Sequence, residues 1–568
     1  MKKLIDFIKN WRTNSEYAKW LMKFTKPFLP RIILIMLMQL ALTGISIYMA
    51  LVSKEIIDSA KGGNVVILVV VVYAGMIVFN LVLSIATSLM SIMLNERFSF
   101  GIRKQVYEKI IRSYWMDVTK YHTGDLMTRL TSDAGQVSDG IIYVIPTVIQ
   151  LIVELFATFF TLFYFSPLLA LFALLVAPVA AIVAVLLGRK MNKLQKKVQE
   201  SESRYRSFLQ ESLANILIVK SFANEDYSVK KLTKLRDERF HWIFERNKIS
   251  LLSSSVMSLS FQLGYVVAFV IGAAQVSAKL ITYGTMSVFL TLVNRIQSPI
   301  MGLAQQVPKI VSIFTSAGRI IELEDIEVEK RNEENIEFMQ VGVNLENITY
   351  GYTDEPVLDG ASLNIKPGEF VSIIGQSGIG KTTMVRLIMS FMNQKEGYIN
   401  FYNSQGDKEE ANAATREFIA YVPQGNTLFS GTVRENIQMG NLRCSEREMI
   451  KALKLSSAYD FVQKLPQGLD TVIGERGHGL SEGQAQRIAI ARALVRRAPF
   501  LIFDEATSSL DEKTEINVLE GLKQLRPRPT CLLITHRKSV IPYCDRQICI
   551  ENRKIVDISA PLNEEENK

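Results

Sequence analysis

Cysteine and histidine are scarce in this sequence, with four of each among 568 residues. No two cysteines have the CxxC spacing that is typical of zinc sites and redox centres. All of them lie in the C-terminal half, at Cys444, Cys531, Cys544 and Cys549. We therefore expect reduced thiols and no metal site built on cysteine. Three of the histidines are not part of any motif that pairs them with another catalytic residue. We interpret these three as surface or loop residues: His122, His241 and His478.

Long apolar runs are missing from the C-terminal half, whereas they fill the N-terminal half. Six runs of about twenty residues or more, each long enough to cross a bilayer, occupy residues 32–52, 65–93, 141–165, 167–187, 251–277 and 286–313. Only Ser166 and Pro167 separate the third and fourth runs, so we expect a tight helical hairpin there. The overall composition, 48% hydrophobic and 21% charged, then averages an apolar half and a polar half.

Basic residues give the chain a formal net charge of +9, and their distribution predicts its orientation. They concentrate before the first run and after the second and fourth, at 2–26, 103–112 and 189–197. This positive-inside pattern predicts cytoplasmic termini and an even number of crossings. It also accounts for the basic charge without a nucleic-acid partner. Residues 17–29 alternate aromatic and basic side chains, which predicts an amphipathic helix at the cytoplasmic interface rather than a cleaved signal.

Two charged stretches between the runs are too long for ordinary loops. About sixty residues separate the fourth and fifth runs, and their helical rhythm predicts a hairpin whose arms reach about 40 Å beyond the membrane. Residues 95–140 show the same rhythm, broken by a turn candidate at 121–125. We expect both stretches to project toward a partner domain.

The C-terminal half contains a phosphate cradle, Gly375, Gln376, Ser377, Gly378, Ile379, Gly380, Lys381 and Thr382. Glycines let successive backbone N–H groups face a triphosphate, and the lysine reaches its outer phosphates. The Thr382 hydroxyl would bind Mg²⁺. A buried apolar run further on ends in Asp504, a second Mg²⁺ ligand, and Glu505, which would polarise a water molecule.

Between these elements lies Leu480-Ser-Glu-Gly-Gln484, which resembles the signature of the ATP-binding cassette (ABC) family. Nearly the whole chain resembles an ABC exporter half-transporter, with likenesses to its two intracellular loops at 114–130 and 219–225. The resemblance implies a membrane α-helical bundle of six helices with long cytoplasmic extensions, followed by an α/β P-loop ATPase domain. The expected divisions are an interfacial helix at 1–30, a transmembrane domain at 31–321, a linker at 322–340 and a nucleotide-binding domain at 341–568.

The resemblance also implies roles for individual residues. Tyr352 matches the aromatic that stacks on adenine, Gln424 the glutamine that senses Mg²⁺ and water, and His536 the switch histidine. Thr383 completes the cradle, and 474–477 matches a loop that contacts the coupling helices at the tips of the intracellular loops. Ser481, Gly483 and Gln484 would meet the ATP that the other subunit's cradle holds, and Asp511 lies in the loop between two cassettes.

One cassette cannot complete an ATP site under this scheme. The resemblance therefore implies a dimer, for which we expect two copies of this chain, with a heterodimer as the alternative. One departure is Glu482, where the family usually has glycine. We expect its carboxylate to complement the dipole of the first helical turn and to point away from the nucleotide.

Polar residues inside the apolar runs indicate a cargo pathway. Glu154 and Arg295 are ionisable groups in predicted spans, where charge is expensive, and Gln262 and Asn294 are polar neighbours in the same bundle. Hydrogen bonding between helices is the alternative for any of these residues.

The resemblance implies an ATP-driven exporter in a bacterial cell membrane, which moves an amphipathic small molecule, a lipid or a peptide by alternating access. Three alternatives stay open at this point. They are a siderophore-type importer on the same fold, a nucleotide-gated membrane regulator that moves nothing, and a soluble ABC ATPase, which the six runs argue against.

Overall fold

The computed structural model describes residues 11–61, 66–165, 167–329, 338–376, 378–474, 477 and 479–558; for 11–16, 18, 168–189, 192 and 257 only the backbone is described. The chain divides into two compact units. One comprises Met1–Lys109 with His122–Asp325, and the other comprises Ile110–Tyr121 with Ile326–Lys568. We call them the helical unit and the sheet unit. The sheet unit thus includes a short segment that lies inside the predicted transmembrane domain.

The N-terminal 325 residues form helices wherever the sequence has an apolar or helical rhythm. They are α1 Trp11–Thr25, α2 Leu29–Lys61, α3 Ile67–Arg112, α4 Trp115–Val118, α5 Thr123–Thr128, α6 Ala134–Asp139, α7 Ile145–Phe165, α8 Pro167–Ala214, α9 Ile216–Ser221, α10 Glu225–Ser277 and α11 Tyr283–Glu324. Two π-helical turns, Arg129–Asp133 and Gly140–Val144, join α5, α6 and α7 into one continuous helix. The helical pattern does break near the predicted turn, but at 119–122 rather than at the predicted 121–125, because α5 already begins at Thr123.

Within the described residues, four helical stretches are long and apolar enough to cross a membrane, at Lys19–Lys61, Ile67–Arg112, Thr123–Phe165 and Glu225–Ser277. They contain the first, second, third and fifth predicted runs. The fourth run lies in α8, and the side chains of most of it are outside the described residues. The sixth lies in α11, where Asn294 and Arg295 interrupt the apolar pattern. The fourth and sixth crossings therefore stay predictions.

The N-terminal helix differs from its predicted position. α1 ends at Thr25, and a 3₁₀ turn at Lys26–Phe28 follows before α2 begins. The turn contains Pro27, which favours the first positions of a helix because it has no N–H to donate. Within the helical unit, the indole Nε1 of Trp20 donates to Glu324 Oε2 at 2.6 Å. α1 is thereby fastened to the end of α11.

A network of charges joins the helix around Arg129 to the end of α11. The buried Arg129 side chain contacts Asp125 and Glu322, each at 2.8 Å. Arg319 contacts Asp125 at 2.5 Å and the buried Asp133 at 3.2 Å. We call these five residues the helical charge cluster. Each charge in it faces an opposite charge within the same unit, so no member is left buried without a partner.

The sheet unit contains twelve strands and six further helices among its described residues. The strands are β1 Gly342–Tyr350, β2 Leu358–Ile365, β3 Phe370–Ile374, β4 Glu396–Tyr402, β5 Lys408–Glu410, β6 Ile419–Val422, β7 Gly431–Thr432, β8 Val472–Ile473, β9 Phe500–Asp504, β10 Thr530–Ile534, β11 Arg546–Glu551 and β12 Lys554–Asp557. The helices are α12 Lys381–Ile388, α13 Val433–Gln438, α14 Glu446–Leu455, α15 Tyr459–Gln463, α16 Glu482–Val495 and α17 Glu512–Lys523.

The main sheet has the order β12-β11-β3-β10-β9-β6, and all its neighbours are parallel except the terminal pair β11 and β12. A second, antiparallel sheet has the order β2-β1-β4-β5. β9 and β10 are buried along their whole length, as expected for continuous apolar strands covered on both faces. Parallel strands end at one edge of the sheet, where ligands of α/β proteins bind. The residues that follow β3, β6, β9 and β10 therefore meet at that edge.

Candidate active site

The cradle follows β3 and leads into α12. Gly375, Gly378 and Gly380 have φ angles of +147°, +84° and +113°, which side chains with a Cβ rarely adopt. Gly380 precedes the first residue of α12, so the free N–H groups of that helix face the loop. Ser377 is outside the described residues. Gln376 is exposed, and Ile379 packs partly on the core under the sheet.

The Lys381 side chain folds back onto the first residue of the cradle. Its Nζ donates to the Gly375 carbonyl oxygen at 2.6 Å and lies 2.9 Å from His536 Nε2. The side chain is only 5% exposed. Burial lowers the pKa of Lys381, and the nearby carboxylates of Glu505 and Asp504 oppose that shift.

Glu505 lies at the centre of the site, one residue beyond β9. Its Oε2 accepts a hydrogen bond from Gln424 Nε2 at 2.7 Å, and its Oε1 is 3.2 Å from His536 Nε2. Its backbone φ of +51° is in the left-handed region, which costs a non-glycine residue of order 1 kcal/mol or more. A hydrogen bond from its N–H to the Ile534 carbonyl, 3.0 Å long, holds this conformation. We call Lys381, His536, Glu505 and Gln424 the polar cluster.

His536 Nε2 cannot satisfy both of its neighbours at once. If this nitrogen carries a proton, it donates to Glu505 and cannot accept from the Lys381 ammonium. If it carries none, it accepts from Lys381 and faces the Glu505 oxygen without a hydrogen bond. In the first case the Lys381 ammonium lacks an acceptor, and in the second Glu505 Oε1 lacks a donor. A ligand with several acceptor oxygens would accept from both Lys381 and His536 and remove this conflict.

Asp504 ends β9 beside the cluster. It accepts hydrogen bonds from Thr382 and from the Tyr421 hydroxyl, the latter at 3.2 Å. Burial is the main cause that raises the pKa of Asp504, and burial together with the Asp504 charge raises the pKa of Tyr421. Sequence reasoning missed Tyr421. Its position three residues before Gln424 was the available signal.

Tyr352 lies at the rim of the cradle and is 48% exposed. Its hydroxyl is 3.4 Å from Thr383 Oγ1 and accepts from Arg386 Nη1 at 3.1 Å. An accessible ring held by its hydroxyl can stack on a flat ligand. The arrangement fits the predicted adenine contact.

Arg386 was not predicted from the sequence, yet it joins two features of the sheet unit. Its guanidinium lies 4.9 Å above the Trp115 ring of α4, in the geometry of a cation–π contact. The Trp115 ring also lies 5.9 Å from that of Phe391. The short helix α4 is thus held next to the residue that orients Tyr352.

The signature segment begins helix α16. Ser481 caps the helix in a reciprocal pair with Gln484, with the Ser481 N–H donating at 3.0 Å and the Gln484 N–H at 3.3 Å. A Cβ at Gly483 would lie 2.7 Å from the Ser509 carbonyl oxygen, so only glycine fits without a shift. Glu482 is exposed in the first turn. Among the described residues, no hydrogen bond or ion pair joins this segment to the polar cluster.

Asp511 also stays apart from the cradle. Its carboxylate caps α17 by accepting from the Thr514 N–H at 3.0 Å. The loop before it is held by Arg537, which donates to the carbonyls of Leu510 at 2.6 Å and Ser508 at 2.5 Å. Arg537 follows the switch histidine directly, and sequence reasoning missed its role. Of the loop predicted at 474–477, Glu475 and Arg476 are outside the described residues, as is His478.

Two of the predicted pathway residues are neighbours in the helical unit. Glu154 on α7 interacts electrostatically with Arg295 on α11. These helices approach closely, since a Cβ at Gly302 would lie 2.9 Å from Leu151. Gln262 and Asn294 are exposed in the single chain.

Both halves of the chain match known protein families. The ABC transporter transmembrane region matches residues 32–300, and the ABC transporter domain matches residues 358–508. An ATP-dependent lipid A-core flippase of Syntrophus aciditrophicus is 31% identical over 560 residues, which cover 95% of this chain and 91% of the relative. A protein with the same description from Desulfotalea psychrophila is 34% identical over 65% of each chain. A putative multidrug export ATP-binding/permease protein of Staphylococcus aureus is 31% identical over 65% of this chain and 64% of its own length.

These matches confirm the resemblance seen in the sequence, the predicted order of a helical membrane region before an α/β domain, and the binding of ATP. The protein is integral to a membrane. The chain belongs to the ABC transporter family as an exporter half-transporter, which couples ATP hydrolysis to export.

Proposed function

We propose that the protein exports a lipid or another amphipathic compound as a homodimer that works by alternating access. The polar cluster is the observation that supports this proposal most. Its four side chains follow four different parallel strands and converge beside the cradle. Such convergence on one point is what a terminal phosphate and an attacking water require.

In the proposed mechanism the terminal phosphate of ATP replaces the contacts that the cluster now makes internally. Lys381 and His536 would donate to its oxygens, which removes the conflict at His536 Nε2. Glu505 would then be released to accept a proton from the attacking water, with Gln424 positioning that water. Tyr352 would stack on the adenine, and the cradle N–H groups from Gly375 to Thr383 would hold the phosphates.

The residues present fit Mg²⁺ bound together with ATP. Mg²⁺ usually takes one or two carboxylates and several other oxygens, including those of phosphates. Asp504, Thr382 and Gln424 offer one carboxylate, one hydroxyl and one amide oxygen near the cradle. The described residues contain no group of three or more His, Cys, Asp or Glu that could hold a metal, so phosphate oxygens would complete the shell. When bound, the ion would neutralise charge that develops on the phosphates.

The separation of the signature from the polar cluster supports a dimer. Ser481, Gly483 and Gln484 present a helix N-terminus, which suits a phosphate, but one chain does not bring it to its own cradle. A second copy can supply it, and Asp511 would lie between the copies. Closure of the two ATP sites would drive the membrane helices between inward and outward states.

The proposed cargo rests on the names of the relatives and on the bundle itself. The relatives are described as a lipid A-core flippase and a putative multidrug export protein. Glu154 and Arg295 would face the polar part of such a cargo, with Gln262 and Asn294 along the same path. The basic residues that flank the spans support cytoplasmic termini in a bacterial plasma membrane.

The test is the Glu505→Gln variant of the full-length protein in proteoliposomes. We expect ATP binding within about twofold of the unchanged protein, a nucleotide-stabilised dimer, and hydrolysis reduced by at least about 100-fold. Glu520→Gln is the matched control, because its carboxylate is exposed in the same unit and away from the cluster. A normal hydrolysis rate in the Glu505 variant would contradict the assignment. Movement of a labelled phospholipid toward the nucleotide-binding side would favour import, and ATP turnover without movement would favour a regulator.

A further inference from the structure

A second site of the helical unit lies where α2 begins and the apolar part of α3 ends. A cavity of about 270 Å³ is lined there by Arg31, Met90, Met93, Leu94 and Arg97. Arg31 directly precedes the first predicted span, and Arg97 follows the second by one helical turn. Adjacent antiparallel spans start and end at the same membrane face, so both arginines lie at that face whichever side it is.

The 3₁₀ turn before α2 contacts α3 through a pair of aromatic rings. The rings of Phe28 and Phe98 make an edge contact with centroids 5.2 Å apart. Phe98 is 1% exposed and Leu94 3%. This packing holds Arg31 and Arg97 on the two walls of the cavity, so the pair of charges is built into the fold.

Neither arginine is engaged by another side chain among the described residues. In the part of the chain that the structure describes, Arg31 and Arg97 have no ion-pair or hydrogen-bond partner, and both are exposed. The nearest carboxylate in sequence, Glu96, acts on Tyr143 instead, because neighbouring residues on a helix point in different directions. In the helical charge cluster, by contrast, both arginines are paired with carboxylates.

The other lining side chains are apolar and lie at the end of the predicted span of α3. Met93 is 60% exposed and lies at the end of an apolar run. Two cations beside flexible apolar side chains match a phosphate headgroup with its acyl chains, because arginine forms bidentate contacts with phosphate and basic pockets between membrane helices bind anionic headgroups. A free phosphate ion would use the arginines and leave Met90 and Met93 uncovered.

We propose that this cavity binds the headgroup of a phospholipid with a net negative charge. The site is separate from the proposed cargo path, whose residues are on α7, α10 and α11. It goes beyond the proposed function, because a bound lipid at the rim of α2 and α3 does not have to be transported.

The experiment measures lipid retained by full-length protein in detergent, by native mass spectrometry. Phosphatidylglycerol, phosphatidylcholine and sodium phosphate are added separately and in competition. We expect the unchanged protein to retain phosphatidylglycerol in preference to phosphatidylcholine. Arg31→Gln/Arg97→Gln should bind phosphatidylglycerol about 30-fold more weakly, since each of the two basic residues near an anionic headgroup contributes about fivefold.

Arg103→Gln/Lys104→Gln is the matched control, because it removes the same charge from α3 further along the helix and outside the cavity. It should retain phosphatidylglycerol as the unchanged protein does. Equal loss in both double variants, or no loss in the first, would overturn the proposal. So would sodium phosphate that displaces the lipid at millimolar concentration, which would show a site for a free anion.

If the first double variant does not fold, the comparison of the two lipids on the unchanged protein decides, and equal retention would refute the site. ATP hydrolysis is measured in the same samples. Normal hydrolysis with lost lipid separates a failure of this site from a failure of the proposed function.

Discussion

The helical charge cluster and the polar cluster are both built from ionisable side chains, yet they differ in whether the contacts are mutually compatible. In the helical unit, Arg129 and Arg319 each contact two carboxylates, and Arg129 also donates to the Arg319 carbonyl oxygen. In the sheet unit, Lys381 and Glu505 meet at one histidine nitrogen that cannot serve both. A satisfied cluster has no need of a ligand, whereas an unsatisfied one gains from binding a ligand. The comparison indicates which charged group is structural and which is functional.

The largest effect that would test this contrast is expected from Lys381→Ala. Removing a buried charged donor from a ligand site costs about 2–5 kcal/mol, so the affinity for ATP should fall by at least about 30-fold. Binding of a fluorescent ATP analogue measures this change. Lys451→Ala, an exposed lysine of the same unit, should change the affinity by less than about twofold. Unchanged affinity in the Lys381 variant would place the phosphates elsewhere.

Arg129→Met should break the satisfied cluster while keeping most of the side-chain volume. It leaves Asp125 and Glu322 without this partner, but Glu322 is 58% exposed, so the loss should be below the 3–5 kcal/mol of a fully buried pair, at about 2 kcal/mol. We expect the melting temperature to fall by about 5 °C, with ATP affinity unchanged. Arg206→Met, from an exposed pair with Glu202, should have almost no effect. A change in ATP affinity without a change in stability would reverse the two roles.

A smaller effect is expected from Arg386→Gln. The Tyr352 hydroxyl loses a charged donor, and Trp115 loses a cation–π contact of about 1 kcal/mol. We expect the KM for ATP to rise about threefold to tenfold. Arg443→Gln is an exposed control in the same unit. A KM that stays unchanged would show that the Tyr352 ring is positioned without Arg386.

A last test concerns the cysteines, which in this chain occur only in the C-terminal half. Burial raises the pKa of Cys544 to about 11 and raises that of Cys531 well above its usual range. Because the thiolate is the reacting species, maleimide should label the native protein at pH 7 at least about 100-fold more slowly than the unfolded protein. Raising the pH toward the Cys544 pKa should speed labelling of that thiol. Rapid native labelling at pH 7 would show that the sheet unit opens more readily than its packing implies.

The polar cluster was largely predictable from the sequence, and the helical charge cluster was not. The glycines and Lys381 occur in one short motif, and Glu505 directly follows a buried apolar run. Parallel strands then bring both to one edge of the sheet. Arg129 and Glu322 are 193 residues apart, and no local sequence pattern predicts that they contact each other. Arg386 and Arg537 were missed for a similar reason, since each acts through a contact with a distant backbone or ring. The roles of the cradle, signature and pathway residues stay predictions until the variants are measured.

The segment Ile110–Tyr121 belongs by its contacts to the sheet unit, although the chain enters and leaves it through the helical unit. Met116 packs against the core of that unit, Ser113 pairs with Val328, and the Tyr114 N–H donates to the Glu327 carbonyl at 3.3 Å. An ATPase fragment expressed from residue 326 onward would therefore lack a piece of its own surface and expose apolar side chains to water. Such a fragment should be poorly soluble, and a synthetic peptide of residues 110–121 added in trans should improve its solubility.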